Sequence, residues 1–412
     1  MTATNAGSVA ILKRRYPDGK LPKAQFEEFP FMATVTKKED FIGDDKVIAL
    51  QTENPQGIGS SIPNAQAGVA QGNYVRFLLT RLEYFGVARI KGQALRTATM
   101  KGGGALVDLW TNECDGVSAS VMKMLEIFWF GNGNAVLGTT ASGTATTTVT
   151  LVTKEDINAF DLGMTLGAVS DTTLSPTIRV GTAKVTGIDR ANGTLTFAAA
   201  PNSTITGLVN GDSFVRAGDG SVAGAPVVPT GMDAWLVGGT TPGSLYSLNR
   251  NPDPVRMASQ VYDATGVPID NAVVEAESLI TIQGKLNKKR LWCNPRELTQ
   301  LKKSQMGKVA FPREKVASTI ASLSFNALQF EGDADTIDIM TSPFCRRNTA
   351  KLIDQETFAI ESAGAAPMLL DFDKNDFLRI ATDDAYEVRF GLYGNYSCKA
   401  PVKSIRLINV GV

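Results

Sequence analysis

Between residues 105 and 130 the apolar side chains recur at Leu106, Leu109, Trp110, Val117, Val121, Met124, Leu125 and Phe128. This is the three-four spacing of one face of a helix, and a helix of that length is a rod of about 35–40 Å. Gly116 weakens it by about 1 kcal/mol relative to alanine, but the stripe runs past it to GNGN (131–134), which stops it. Upstream the pattern is that of strands. KVIALQT (46–52) and YVRFLLTRLEYFGVARI (74–90) are rich in β-branched and aromatic residues and predict the two strands of one long hairpin. Between them ENPQGIGSSIPNAQAGVAQGN (53–73) carries no charge after Glu53 and becomes the hairpin tip. A loop this long without secondary structure is uncommon in a compact domain and is usually functional or disordered.

At residue 135 the pattern changes again. Thr, Gly, Val and Ala dominate to about residue 225, with TTTVTLVT, IRVGTAKVTGID and TLTFAA as short strands and DRANG as a hairpin turn, a small all-β module set into a mixed chain. Mixed structure resumes with a helix over NAVVEAESLITIQGKL (271–286) and a strand at KRLWCN. In NPRELTQLKKS, Asn294 can cap a helix and Pro295 can take its first position. Strands then dominate from 335 to 412, through TIDIMTS, TAKLIDQ, FAIESA, YEVRFGLYGNYSCK and KSIRLINV. Residues 1–40, with Pro17, Pro22 and Pro30 and a basic cluster at Lys13, Arg14, Arg15, Lys20 and Lys23, read as an extended arm.

Composition narrows the chemistry. The 412 residues are 43% hydrophobic and 20% charged, enough for a sizeable core and for two or three domains. Lys plus Arg equals Asp plus Glu at 41 each, so no global field draws the chain to nucleic acid or membrane. Neither a signal peptide nor a membrane span is apparent, and a cytosolic product is expected. Cys114, Cys293, Cys345 and Cys398 are scattered and form no CxxC pair, which favours reduced thiols over disulfides or zinc. Histidine is absent, removing the commonest general acid/base and metal ligand and, with it, a serine triad. KGGGA and GIGSS lack the spacing of a phosphate cradle. DFDKND (371–376) opens like a calcium loop but has Asp376 at position six and Thr382 at position twelve, so it lacks the sharp turn and the bidentate ligand. No catalytic, cofactor-binding or metal residue is expected.

The order of elements, together with LYSLNRNPDP, NAVVEAESLITIQGKL, RLWCNPRELTQL and YEVRFGLYGNYSCKAPVKSIRLINV, resembles the major capsid proteins of tailed bacteriophages, the Hong Kong 97-like fold. The resemblance covers most of the chain and rests on a pattern of elements. It implies an α+β fold with an N-terminal arm (1–44), an extended β-hairpin loop (45–92), a peripheral domain with a spine helix (93–134), an inserted all-β domain (135–225), the peripheral domain continued (226–287), an axial domain (288–372) and peripheral strands (373–412). It also implies a structural, non-enzymatic subunit that self-assembles into an icosahedral head shell around double-stranded DNA. Its extended loop would lie over the neighbouring subunit, with Gln56, Ile58, Ile62, Val69 and Arg76 as candidate contacts, and Lys13, Arg14 and Arg15 of the arm would face the interior. An uncharged tip loses little solvation on docking, which favours the same role.

The partners implied are other copies in hexamers and pentamers, the portal, DNA held non-specifically, and a scaffolding protein during assembly in the host cytoplasm. Many members of the family carry a scaffolding segment of about a hundred residues before the arm. Here only some forty precede the hairpin, so a separate scaffolding protein is expected on the resemblance alone. Whether a decoration protein binds is open, and no membrane partner is expected. Two other readings stand beside this one. An encapsulin-like nanocompartment shell shares the fold, and a β-rich tail or adhesin protein would explain the Thr/Gly-rich block but not the spine helix.

Overall fold

The computed structural model describes residues 29–93, 109–170, 176–221, 226–284, 289–305, 328–331, 336–370 and 378–411. The basic cluster Lys13, Arg14 and Arg15, expected to face the interior, the stripe residue Leu106 and the DFDKND turn lie outside the described residues.

The stripe between 105 and 130 is realised as a helix, Leu109–Phe130. Val121, Met124, Leu125 and Phe128 are buried, as the spacing requires, and Ile127, Trp129 and Phe130 join them at the C-terminal end. The helix lies on a six-stranded sheet built around the long strand Ala385–Cys398. One edge of that strand pairs antiparallel with Leu82–Lys91. Its other edge takes Leu378–Arg379, Met368–Leu369 and Phe358–Ser362 in turn. Gly86 sits where the helix crosses, and a Cβ there would stand 2.4 Å from Val121 Cγ2. Glycine is what allows the close approach.

The end of the segment read as an irregular arm is part of this core. Pro30–Thr34 forms a short helical turn, Thr36–Lys38 adds in parallel to Phe358–Ser362, and Phe31, Met32 and Phe41 are buried. Phe31 stacks on Trp129 with centroids 3.9 Å apart, and Trp129 meets Tyr396 edge-on at 4.8 Å. Such pairs contribute beyond their buried area. The last part of the 1–44 segment is therefore packed into the core.

A second six-stranded sheet runs in the order Gln260–Asp263, Ile405–Ile408, Thr349–Asp354, Lys289–Cys293, Thr336–Thr341, Leu328–Glu331. Helix Ile269–Gln283 packs on it through Ile269, Val273 and Ile280, against Leu291, Leu352 and Leu407. Helix Pro295–Gln305 begins as its sequence indicates, with the Arg296 N–H donating to Asn294 Oδ1 at 3.2 Å. This sheet draws strands from 260–263 and 405–408, while Phe358–Ser362 and Met368–Leu369 lie in the first sheet. A boundary at 288, and one between 372 and 373, therefore does not separate the two sheets.

Following the long helix in sequence, Val136–Ser142, Thr148–Leu151, Thr165–Val169, Ala183–Asp189, Thr194–Phe197 and Ser213–Arg216 close a six-stranded barrel. Val149, Leu166, Leu195 and Phe214 fill it. The DRANG turn forms through Asp189 Oδ1, which accepts the N–H groups of Ala191 and Asn192 at 3.0 and 3.2 Å. Glu155 on the barrel reaches Arg296 (2.9 Å) and Arg347 (3.2 Å) of the second sheet's side of the molecule, and Lys123 of the long helix reaches Asp161 (2.9 Å).

Candidate assembly surface

The hairpin expected from the strand-like runs pairs Asp45–Glu53 with Asn73–Thr80. The run 74–90 is not one strand. It breaks at Arg81, whose N–H donates to Asp44 O (2.8 Å) and closes the hairpin root, and Leu82 opens a strand of the first sheet. The root is anchored. Ile48, Phe77 and Leu79 are buried, and Phe77 meets Trp235 edge-on at 5.0 Å. Asn395 Nδ2 donates to Thr80 O (3.0 Å) and Leu78 N–H to Tyr246 O (3.2 Å). Lys46 of the hairpin and Lys38 of the arm strand converge on the buried carboxylate of Glu361, at 2.7 and 3.0 Å. Burial alone would raise that carboxyl's pKa, but the hydrogen bonds from Lys46, Lys38 and Ser397 outweigh it and hold it below the ordinary carboxylate value.

Beyond Thr52 the burial stops, and no residue from 53 to 76 is buried. A nine-residue strand extends about 30 Å, so the tip stands well away from the root. It nevertheless has structure that the sequence reading missed. Ile62–Ala67 is a short helix with Ser61 as its cap, the Asn64 N–H donating to Ser61 Oγ at 3.4 Å. The signal was present in SIPN, a capping serine followed by a proline within the first turn. The loop ends are tied where the Gln56 N–H donates to Ala70 O at 3.1 Å. Gly59 crosses so near this helix that a Cβ would stand 2.7 Å from Ala65 N. The tip is a compact loop folded on itself.

Its apolar side chains face outward: Ile58 is 80%, Ile62 75% and Val69 69% exposed, and Tyr74 and Val47 extend the apolar surface down the stem. The structure places these three aliphatics on one tip, at the positions singled out in the sequence. Gln56 is exposed at the tip base, where its backbone closes the loop, and Arg76 is exposed on the second strand of the stem. Isolated exposed apolar residues are ordinary, but several gathered on one projecting, uncharged loop make it a candidate interaction surface.

The four cysteines are free thiols, and burial pushes Cys345 up to about 11 and Cys398 up to about 12. Among the described residues no group of three His, Cys, Asp or Glu side chains could hold a metal, and no helix is long and apolar enough to cross a membrane.

The whole chain is similar to solved capsid structures. It aligns with a chain of the cyanophage A-1(L) capsid asymmetric unit at a TM-score of 0.51 and 10% identity, over 96% of both chains. It aligns with a chain of the capsid of a native GTA particle at 0.50 and 8% identity, over 100% of this chain and 99% of that one, and with the empty GTA capsid at 0.50 and 7%. At such identities what is shared is the fold, and it is the mixed α+β, Hong Kong 97-like fold of phage capsid subunits. No protein-family profile and no curated protein sequence matches the chain.

Proposed function

We propose that this protein is a major capsid protein, many copies of which build a closed icosahedral shell around phage double-stranded DNA. The observation that carries the reading is the anchored hairpin with its self-tied, uncharged and aliphatic tip. Ile58, Ile62 and Val69 are held out where their own chain cannot cover them, and a neighbouring copy can. Burying three such side chains is worth roughly 5–8 kcal/mol before the costs of association. Repeated around a ring of identical contacts, that surplus sums to a stable assembly whose geometry symmetry closes.

In this reading 45–92 is the extended loop, with Gln56, Ile58, Ile62, Val69 and Arg76 at or beside the contact. The barrel within 135–225 is an inserted domain, and the basic residues Lys13, Arg14 and Arg15 face the interior. Hexamers and pentamers, a scaffolding protein, the portal and packaged DNA are the partners that follow. The inserted barrel and the basic arm favour a virus shell over a cargo-holding nanocompartment of the same fold. Negative-stain images of the purified chain test the proposal: large DNA-sized shells or capsomers support it, small uniform compartments favour the nanocompartment, and isolated monomers at micromolar concentration contradict both.

A further inference from the structure

Among the described residues, two strand edges carry backbone hydrogen-bonding groups that nothing bonds. In the first sheet, Leu82–Lys91 pairs, among the described residues, only with Ala385–Cys398. The Gly92 N–H donates to Asp384 O (2.8 Å) in the same register, so the even-numbered residues of the strand direct their backbone groups into the sheet. The N–H and C=O groups of Glu83, Phe85, Val87 and Arg89 therefore point outward, and among the described residues nothing bonds them. The hairpin has a matching edge. Because the Arg81 N–H bonds Asp44 O, the pairs 46–79, 48–77 and 50–75 are the hydrogen-bonded ones, and Asp45, Val47, Ala49 and Gln51 direct their groups away from their partner strand. The hairpin's opposite edge is partly occupied, by Tyr246 O at Leu78 and Asn395 Nδ2 at Thr80. A long exposed edge is a template for another chain.

We propose that the hairpin edge Asp45–Gln51 of one copy adds antiparallel to the edge Glu83–Arg89 of a second copy, extending its first sheet. This rests on the shell-subunit reading and names the surface that receives the hairpin stem. The side chains select the register. With Val47 opposite Val87, Asp45 meets Arg89, Ala49 lies beside the Phe85 ring and Gln51 meets Glu83, so a charge pair, two apolar pairs and a hydrogen-bonding pair coincide. A parallel arrangement starting from the same ends would set Asp45 against Glu83. All eight side chains are exposed, Val47 at 54%, Phe85 at 45% and Val87 at 51%. Among the described residues Arg89 has a surface partner, Asp383 at 3.4 Å, that it can exchange. The two patches differ, so the contact is head-to-tail and propagates around a ring.

The test uses two single variants, Val47→Cys and Val87→Cys, mixed, assembled and oxidised, with the parent as control for the half-buried Cys114. Alongside it, hydrogen exchange is measured on parent particles and on dissociated parent subunits. The pairing predicts a cross-linked dimer containing both variants, absent when either is oxidised alone. It also predicts amide exchange slowed at least about tenfold in particles for peptides covering 45–51 and 83–91. Particles that form without a mixed dimer, and with unchanged exchange at both edges, overturn the pairing and leave the shell reading standing. A chain that forms no particles overturns both.

Discussion

Glu126 lies within the apolar stripe of the long helix, fully buried. Its Oε1 accepts Ser342 Oγ–H at 2.6 Å, and the backbone N–H groups of Phe31 and Met32 also face it, so one carboxyl joins the helix, the end of the arm and the second sheet. Burial outweighs those bonds and pushes its pKa up to about 8 from 4.5. The sign follows from linkage. Across that interval the folded chain keeps a proton that the unfolded chain releases, so stability present below the ordinary carboxylate pKa is lost as pH rises through about 8. Glu126→Gln should therefore unfold at higher urea than the parent at pH 7, by on the order of 3 kcal/mol, with the gain falling below about 1 kcal/mol at pH 5. A gain that does not change with pH would assign the effect to packing. Sequence reasoning could not find this residue, because a glutamate beside Leu125 reads as an exposed flank. The Asn294 cap was legible, because capping is local.

At the scale of elements the same division holds. The long helix, the barrel strands and the tight Asp189 turn were readable because each is specified by its own residues, through apolar period or turn chemistry. Strand partnership beyond the local hairpins was not. The continuous β-like run 74–90 gives no local sign that Arg81 ends one sheet and Leu82 begins another, since strand propensity reflects context more than backbone preference. Phe31 looked like part of an irregular arm until Trp129 gave it a partner. The barrel yields a prediction of its own. Val136 pairs with Val215, so the two ends of the barrel leave side by side. Replacing 135–225 with a short Gly/Ser linker should leave a remainder with a cooperative thermal transition. Its midpoint should fall by a few degrees, because Arg296 and Arg347 lose Glu155 and part of the shared apolar cluster is exposed. Loss of the cooperative transition would show that the barrel is core to the body.

For the molecule as a whole, both sheets are assembled from distant parts of the chain, which is why the expected domain limits at 288 and 372 cut across them. The hairpin is different. It is continuous in sequence, anchored at Glu361, Phe77 and Asn395, and free of the core beyond Thr52, so its tip can be altered without disturbing the fold. That Ile58, Ile62 and Val69 stand exposed on the tip was legible for that reason: they are the large aliphatics of an uncharged stretch, and no tertiary partner was needed to single them out. The most direct test of the shell reading is sedimentation velocity of Ile58→Asp combined with Ile62→Asp beside the parent. Two charges forced into a dry contact cost several kcal/mol at every repeat. The parent should sediment as large particles and the double variant as slow subunits or capsomers, with unfolding midpoints that agree within about a degree or two. A double variant that still sediments as complete particles would contradict the account, because the tip would then be a solvent-exposed flap that holds no neighbour.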